Sequence, residues 1–256
     1  MNEIVVAFLL TALAGLSTGL GGLTVFLRKK MNTRFLAFSL GLSAGVMLYI
    51  SFVELFAKAN STLGEIYGEK PGTLLSITAF FGGIAVVALV ERFIPENGGG
   101  KIAEKGNGLM RTGLITALAL ALHNFPEGLA TFVSALQSPA LAIPIVVAIA
   151  IHNIPEGIAV AVPIYYATQN RGKAFWYSLL SGLTEPLGAI AGYLVLIPFL
   201  SDTVNYMVFS AVAGIMVFIS VAELLPAARE YGDDVPAIVG VVAGMIVMAI
   251  SLVGFL

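Results

Sequence analysis

The stretch Leu122-His123-Asn124-Phe125-Pro126-Glu127-Gly128 recurs as Ile151-His152-Asn153-Ile154-Pro155-Glu156-Gly157. The copies share His-Asn-x-Pro-Glu-Gly and contain both histidines of the chain. Each lies inside an apolar run long enough to cross a bilayer, which takes about 20 residues. Imidazoles, carboxamides and carboxylates at that depth are costly to bury, so they call for a functional explanation. A metal site inside a membrane transporter is the reading that fits them.

Composition agrees on the membrane. Of 256 residues, 58% are hydrophobic and 11% charged, against about 25% charged in a soluble domain. The net charge of −2 and the absence of a basic stripe give no pointer to nucleic acid. Cysteine is absent, which excludes disulfides and thiolate ligands. The N-terminal residues lack a basic segment, so the first apolar run reads as a retained span.

Working outward, eight apolar runs appear, at about 4–27, 35–57, 73–94, 113–136, 141–166, 174–198, 204–225 and 236–256. Residues 95–112 read as a polar cytoplasmic loop. All of the 13 Lys and Arg except Lys58 and Lys70 fall after spans one, three, five and seven. By the positive-inside rule those loops are cytoplasmic and both termini lie outside. The expected fold is all-α, one transmembrane domain over residues 1–256.

A second repeat joins spans two and seven. Gly45-Val46-Met47-Leu48-Tyr49-Ile50-Ser51-Phe52-Val53-Glu54-Leu55 matches Gly214-Ile215-Met216-Val217-Phe218-Ile219-Ser220-Val221-Ala222-Glu223-Leu224 at Gly, Met, Ile, Ser, Glu and Leu. Both repeats pair oppositely directed spans, which predicts a pseudo-two-fold axis in the membrane plane. The helices then nest as a 3+2+3 inverted repeat, a transporter plan with its site near the midplane.

His123 and Glu127 are i, i+4, as are His152 and Glu156, so each pair shares a helix face. Asn124 and Asn153 stand three residues before the acids. Residue 125 lies about 18 Å along its span, near the middle of a ~30 Å core. Pro126 and Pro155 are expected to kink their helices and free the carbonyls of Leu122 and Ile151. Nitrogen and carboxylate donors suit Zn²⁺, Fe²⁺, Mn²⁺ and Co²⁺ without choosing among them. Two adjacent sites bridged by Glu127 and Glu156 fit the excess of acids. His123 and His152 would complete one, and Asn124, Asn153 and Glu185 the other. Glu54 is expected on the entry side and Glu223 on the exit side; Met47 packs or faces the route.

Blander readings attach to the same residues. The asparagines could be helix-packing amides, and Glu223 a helix-end acid near Arg229. The Gly-x3-Gly pairs 15/19, 41/45, 188/192 and 240/244 read as packing faces. Trp176 and Tyr165-Tyr166 read as interface anchors. A membrane metalloenzyme is the competing class, but His-Glu-x-x-His and Glu-x-x-His are both absent. A passive metal-selective channel would use the same ligands. The sequence leaves a homodimer open.

At His123–Gly128, His152–Gly157, Ser181–Gly188, Ala213–Met216 and Glu223–Pro226 the chain resembles the ZIP (Zrt/Irt-like) metal transporters, and within them the ZupT-type bacterial branch. The resemblance spans all eight runs. It implies eight helices arranged 3+2+3 with a binuclear centre between helices four and five. It also implies alternating access by an elevator-like motion that brings zinc, and often iron, manganese, cobalt or cadmium, into the cytoplasm as substrates and not cofactors. The implied ligands are His123, Asn124, Glu127, His152, Asn153, Glu156 and Glu185, with Glu54 nearby. Many relatives carry a His-rich loop between spans three and four; residues 95–112 contain no His.

Overall fold

A computed structural model describes residues 3–27, 33–93, 105–137, 139–191, 193–194, 201–230 and 234–254. These are nearly all helical, with no strand among them. The helices are α1 (Glu3–Gly22), α2 (Thr24–Leu27), α3 (Thr33–Ile50), α4 (Ala57–Tyr67), α5 (Glu69–Phe93), α6 (Lys105–Gln137) and α7 (Pro139–Thr168). They continue as α8 (Arg171–Gly182), α9 (Thr184–Ala191), α10 (Asp202–Ile219), α11 (Leu225–Glu230) and α12 (Asp234–Gly254). Short π-helical segments, Ser51–Phe56 and Ser220–Leu224, link α3 to α4 and α10 to α11. Among the described residues five helical stretches are long and apolar enough to cross a membrane: Glu3–Leu27, Thr33–Tyr67, Glu69–Leu89, Asp202–Arg229 and Asp234–Val253.

The helices form two groups. One contains α3 along α12 and α5 along α10; the other packs α1, α6, α7, α8 and α9 together. The groups meet where α3 touches α7 and where α10 touches α6. Leu40, Met47, Leu120, Val160, Ile164, Met216 and Ile219 are buried in the largest apolar cluster. Large apolar side chains such as Leu13, Leu74, Phe81 and Ile250 are exposed. Between helices in lipid no hydrophobic force operates, so close packing and interhelical hydrogen bonds hold them. A Cβ on Gly45 would fall on the Val241 carbonyl of α12, and one on Gly214 on the Phe80 carbonyl of α5. These glycines occupy matching places in the repeat of spans two and seven.

The π segments also match. Ser51 donates to the Met47 carbonyl at 2.6 Å, and Ser220 to the Met216 carbonyl at 2.8 Å. A hydroxyl that bonds four residues back competes with the helical N–H for the carbonyl. Each π segment starts at that serine.

Two sequence expectations change. Residues 105–112 belong to α6 and not to a loop over 95–112; residues 94–104 lie outside the described residues. Leu109 is buried and Met110 packs against the core, and that contact outweighs the poor helix propensity of Gly106 and Gly108. Span two does not stop near 57 but runs to Tyr67, because α4 buries Ala59 and Leu63 while Lys58, Ser61 and Glu65 face out. Gly68, at φ 89°, ends it. Within 174–198 the helix is interrupted at Leu183, between α8 and α9.

Candidate metal centre

The two motif copies stand on α6 and α7, which pack side by side. Glu185 is the second residue of α9. His123, Asn124, Asn153, Glu156 and Glu185 are fully buried, and Glu127 nearly so. His123 Nε2 stands 3.2 Å from Glu156 Oε1 and 3.8 Å from Glu127 Oε2. One imidazole therefore lies between the carboxylates of both copies.

The asparagines donate to neighbouring helices. Asn153 Nδ2 donates to Glu185 Oε1, and at 3.0 Å to the Ala14 carbonyl of α1. Asn124 Nδ2 donates to the Ser181 carbonyl of α8 at 3.2 Å. Each amide thus ties its helix to a neighbour and keeps its oxygen available. Asn124 Oδ1, Asn153 Oδ1, Glu156 Oε2 and Glu185 Oε2 are buried and accept no hydrogen bond among the described residues. A buried acceptor without a donor is destabilising by about 1–3 kcal/mol, more if charged. A set of such acceptors beside an imidazole has the chemistry to receive a cation. Among the described residues no three His, Cys, Asp or Glu side chains close a cage.

The motif glycines have a structural reason. A Cβ on Gly128 would fall on the Glu185 carbonyl, and one on Gly157 on the Thr18 carbonyl. Only glycine lets α9 and α1 approach the motif helices this closely. The helical run is unbroken at Pro126 and Pro155. The interruption beside a proline falls at Leu183, before Pro186. Pro186 has no N–H for the Gly182 carbonyl four residues back. That carbonyl packs instead on α1, where a Cβ at Gly15 would meet it.

The structure thus brings together His123, Asn124, Glu127, Asn153, Glu156 and Glu185. His152 belongs to α7, but its side chain lies outside the described residues. Met47 is buried, and its sulfur accepts from Ser43 at 3.9 Å. Glu54 lies on the first π segment, exposed enough to pair with Lys58 at 3.9 Å. Glu223 is half-buried on the second. Arg229 pairs with Asp234 at 3.8 Å.

Residues that the motif alone does not flag also build the centre. Ala14 and Ser181 offer the carbonyls that anchor the asparagines. Ser178 donates to the Thr18 carbonyl at 2.9 Å and the Gly157 carbonyl at 3.1 Å, so it pins α8 to α1 and α7. A signal for them exists: Gly-Leu-x-x-x-Leu-Gly occurs at Gly15–Gly21 and at Gly182–Gly188.

Five helical stretches long and apolar enough to cross a membrane, beside a buried set of nitrogen and oxygen donors, fit a multi-pass membrane protein. The family model for the ZIP Zinc transporter matches residues 96–252. A zinc transporter ZupT of Streptococcus mutans is 56% identical over 257 residues, covering 98% of this chain and 97% of that protein. The zinc transporter ZupT of Clostridium perfringens is 52% identical over 279 residues, covering 100% and 98%. That of Oceanobacillus iheyensis is 53% identical over 264 residues, covering 98% of each. The chain belongs to the ZIP zinc transporter family, a family of transporters and not of enzymes.

Proposed function

We propose that this chain carries zinc, and with it iron, manganese, cobalt or cadmium, across the cell membrane into the cytoplasm. The ions pass through a binuclear centre of His123, Asn124, Glu127, His152, Asn153, Glu156 and Glu185. His123, His152, Glu127 and Glu156 hold one ion; the asparagines and Glu185 hold the other, with Glu127 and Glu156 bridging. The observation that carries this reading is the set of buried oxygens on Asn124, Asn153, Glu156 and Glu185 that meet no donor among the described residues. A divalent cation satisfies all of them at once, and imidazole with carboxylate suits zinc.

Eight spans in a 3+2+3 inverted repeat, within one domain and with both termini outside, agree with the matched contacts. The carbonyl of Ile154 meets Gly21, and the equivalent carbonyl of Phe125 meets Gly188. Two helix groups joined by two equivalent seams also suit alternating access, with the group holding the centre moving against the other. Glu54 and Glu223, one on each π segment, would serve as the entry-side and exit-side acids. The relatives' names, zinc transporter, point to the same ion.

Zinc entry into proteoliposomes holding a zinc-sensitive dye tests the reading. Saturable entry is expected for wild type, and its loss for His123→Ala/His152→Ala. Equal entry through the folded double variant contradicts it.

A further inference from the structure

Helices α1 and α8–α9 meet the centre in one register. Asn153 donates to the carbonyl of Ala14 and Asn124 to that of Ser181. Gly157 packs on the carbonyl of Thr18 and Gly128 on that of Glu185. Ile154 and Phe125 present their carbonyls to Gly21 and Gly188. Ala14, Thr18 and Gly21 have the same spacing as Ser181, Glu185 and Gly188. The position equivalent to Glu185 is therefore Thr18.

The space around the two side chains also matches. A Cβ on Gly15 would lie 3.3 Å from Glu185 Cβ, and one on Gly182 would lie 2.6 Å from Thr18 Cβ. Each glycine clears room for the other half's side chain. Thr18 is fully buried, and its hydroxyl makes no hydrogen bond among the described residues. A buried helical threonine can bond a carbonyl three or four residues back. Thr11 on the same helix does so, to Ala7 at 2.9 Å. Thr18 does not, which leaves it an oxygen for another purpose.

We infer that Thr18 is the sixth oxygen of the subsite built by Asn124, Asn153, Glu127, Glu156 and Glu185, and that it determines which cations this subsite accepts. The inference rests on reading the centre as a metal site. Six oxygens suit octahedral cations such as Mn²⁺, whereas Zn²⁺ is satisfied by four ligands. A neutral hydroxyl in place of a second Glu185 completes the shell without adding charge.

The test is direct titration of zinc and of manganese on the purified full-length protein in detergent micelles. Thr18→Val removes the oxygen and keeps the shape. It should weaken Mn²⁺ binding by at least roughly tenfold, the lower end of the loss for even an outer-shell partner of a metal, and change Zn²⁺ binding far less. Thr18→Ser should bind both as wild type does, and Thr18→Ala replaces the valine variant if that one does not fold. Glu185→Gln runs beside them and should weaken both metals. If Glu185→Gln weakens both but the Thr18 variants leave the manganese-to-zinc ratio unchanged, or lower both equally, the Thr18 inference is wrong. If Glu185→Gln alters neither metal, the metal-centre reading fails, and this inference with it.

Discussion

His123 on α6 and Glu156 on α7 face each other at 3.2 Å, so the histidine of one motif copy contacts the acid of the other. The two copies are one site by this contact. Glu127, on the same helix as His123, is 3.8 Å from the same nitrogen.

Glu127→Ala and Glu156→Ala should each abolish transport, because in the proposed centre each removes an oxygen shared by two ions. Initial rates of zinc entry into proteoliposomes, corrected for the amount of inserted protein, check this. Near-normal entry in both variants would sink the bridged centre.

Gly82 and Gly83 are neighbours on α5 with opposite surroundings. A Cβ on Gly82 meets nothing within 4 Å, whereas one on Gly83 falls on the Ala211 carbonyl of α10. Gly82→Ala should therefore be neutral or stabilising by about 0.5–1 kcal/mol. Gly83→Ala should be destabilising by about 1–3 kcal/mol through overpacking. Thermal unfolding in detergent separates them; equal shifts would contradict the close α5–α10 approach.

Ser51→Ala and Ser220→Ala should act alike. Each loses one buried bond to a methionine carbonyl, worth about 0.5–1.5 kcal/mol. Unfolding midpoints that fall together fit equivalent π segments. A large loss in one variant and none in the other would show that the repeat does not extend to their energetics.

Glu54→Ala and Glu223→Ala should slow entry without removing the metals bound at the centre. Uptake rates and equilibrium binding measured on the same preparations would show this split. Unaltered uptake kinetics in both variants removes these acids from the route.

The twin motif and the repeat of spans two and seven were legible because identical residues sit at helical spacing in apolar runs. Those residues include Glu54 and Glu223, which both fall in π segments. What stayed hidden lies where tertiary contact overrides composition. Gly106, Gly108 and Lys105 read as loop, yet α6 begins there because Leu109 is buried. Asn60 to Pro71 read as the divider after a span ending near 57, yet Ala59 and Leu63 give α4 a buried face. The match of Gly15–Gly21 to Gly182–Gly188 was hard to see because its chemistry differs between copies: Thr18 stands opposite Glu185, and Gly19 opposite Pro186. Backbone contacts make that equivalence visible, since carbonyls and glycines carry it.

The count of zinc ions bound by the purified protein at equilibrium separates a two-ion centre from a single site. About two per chain are expected, the stoichiometry of a paired-metal site, and at most about one after Glu156→Ala. A wild type that binds only one ion, or a folded Glu156→Ala that still binds as many as wild type, would contradict it.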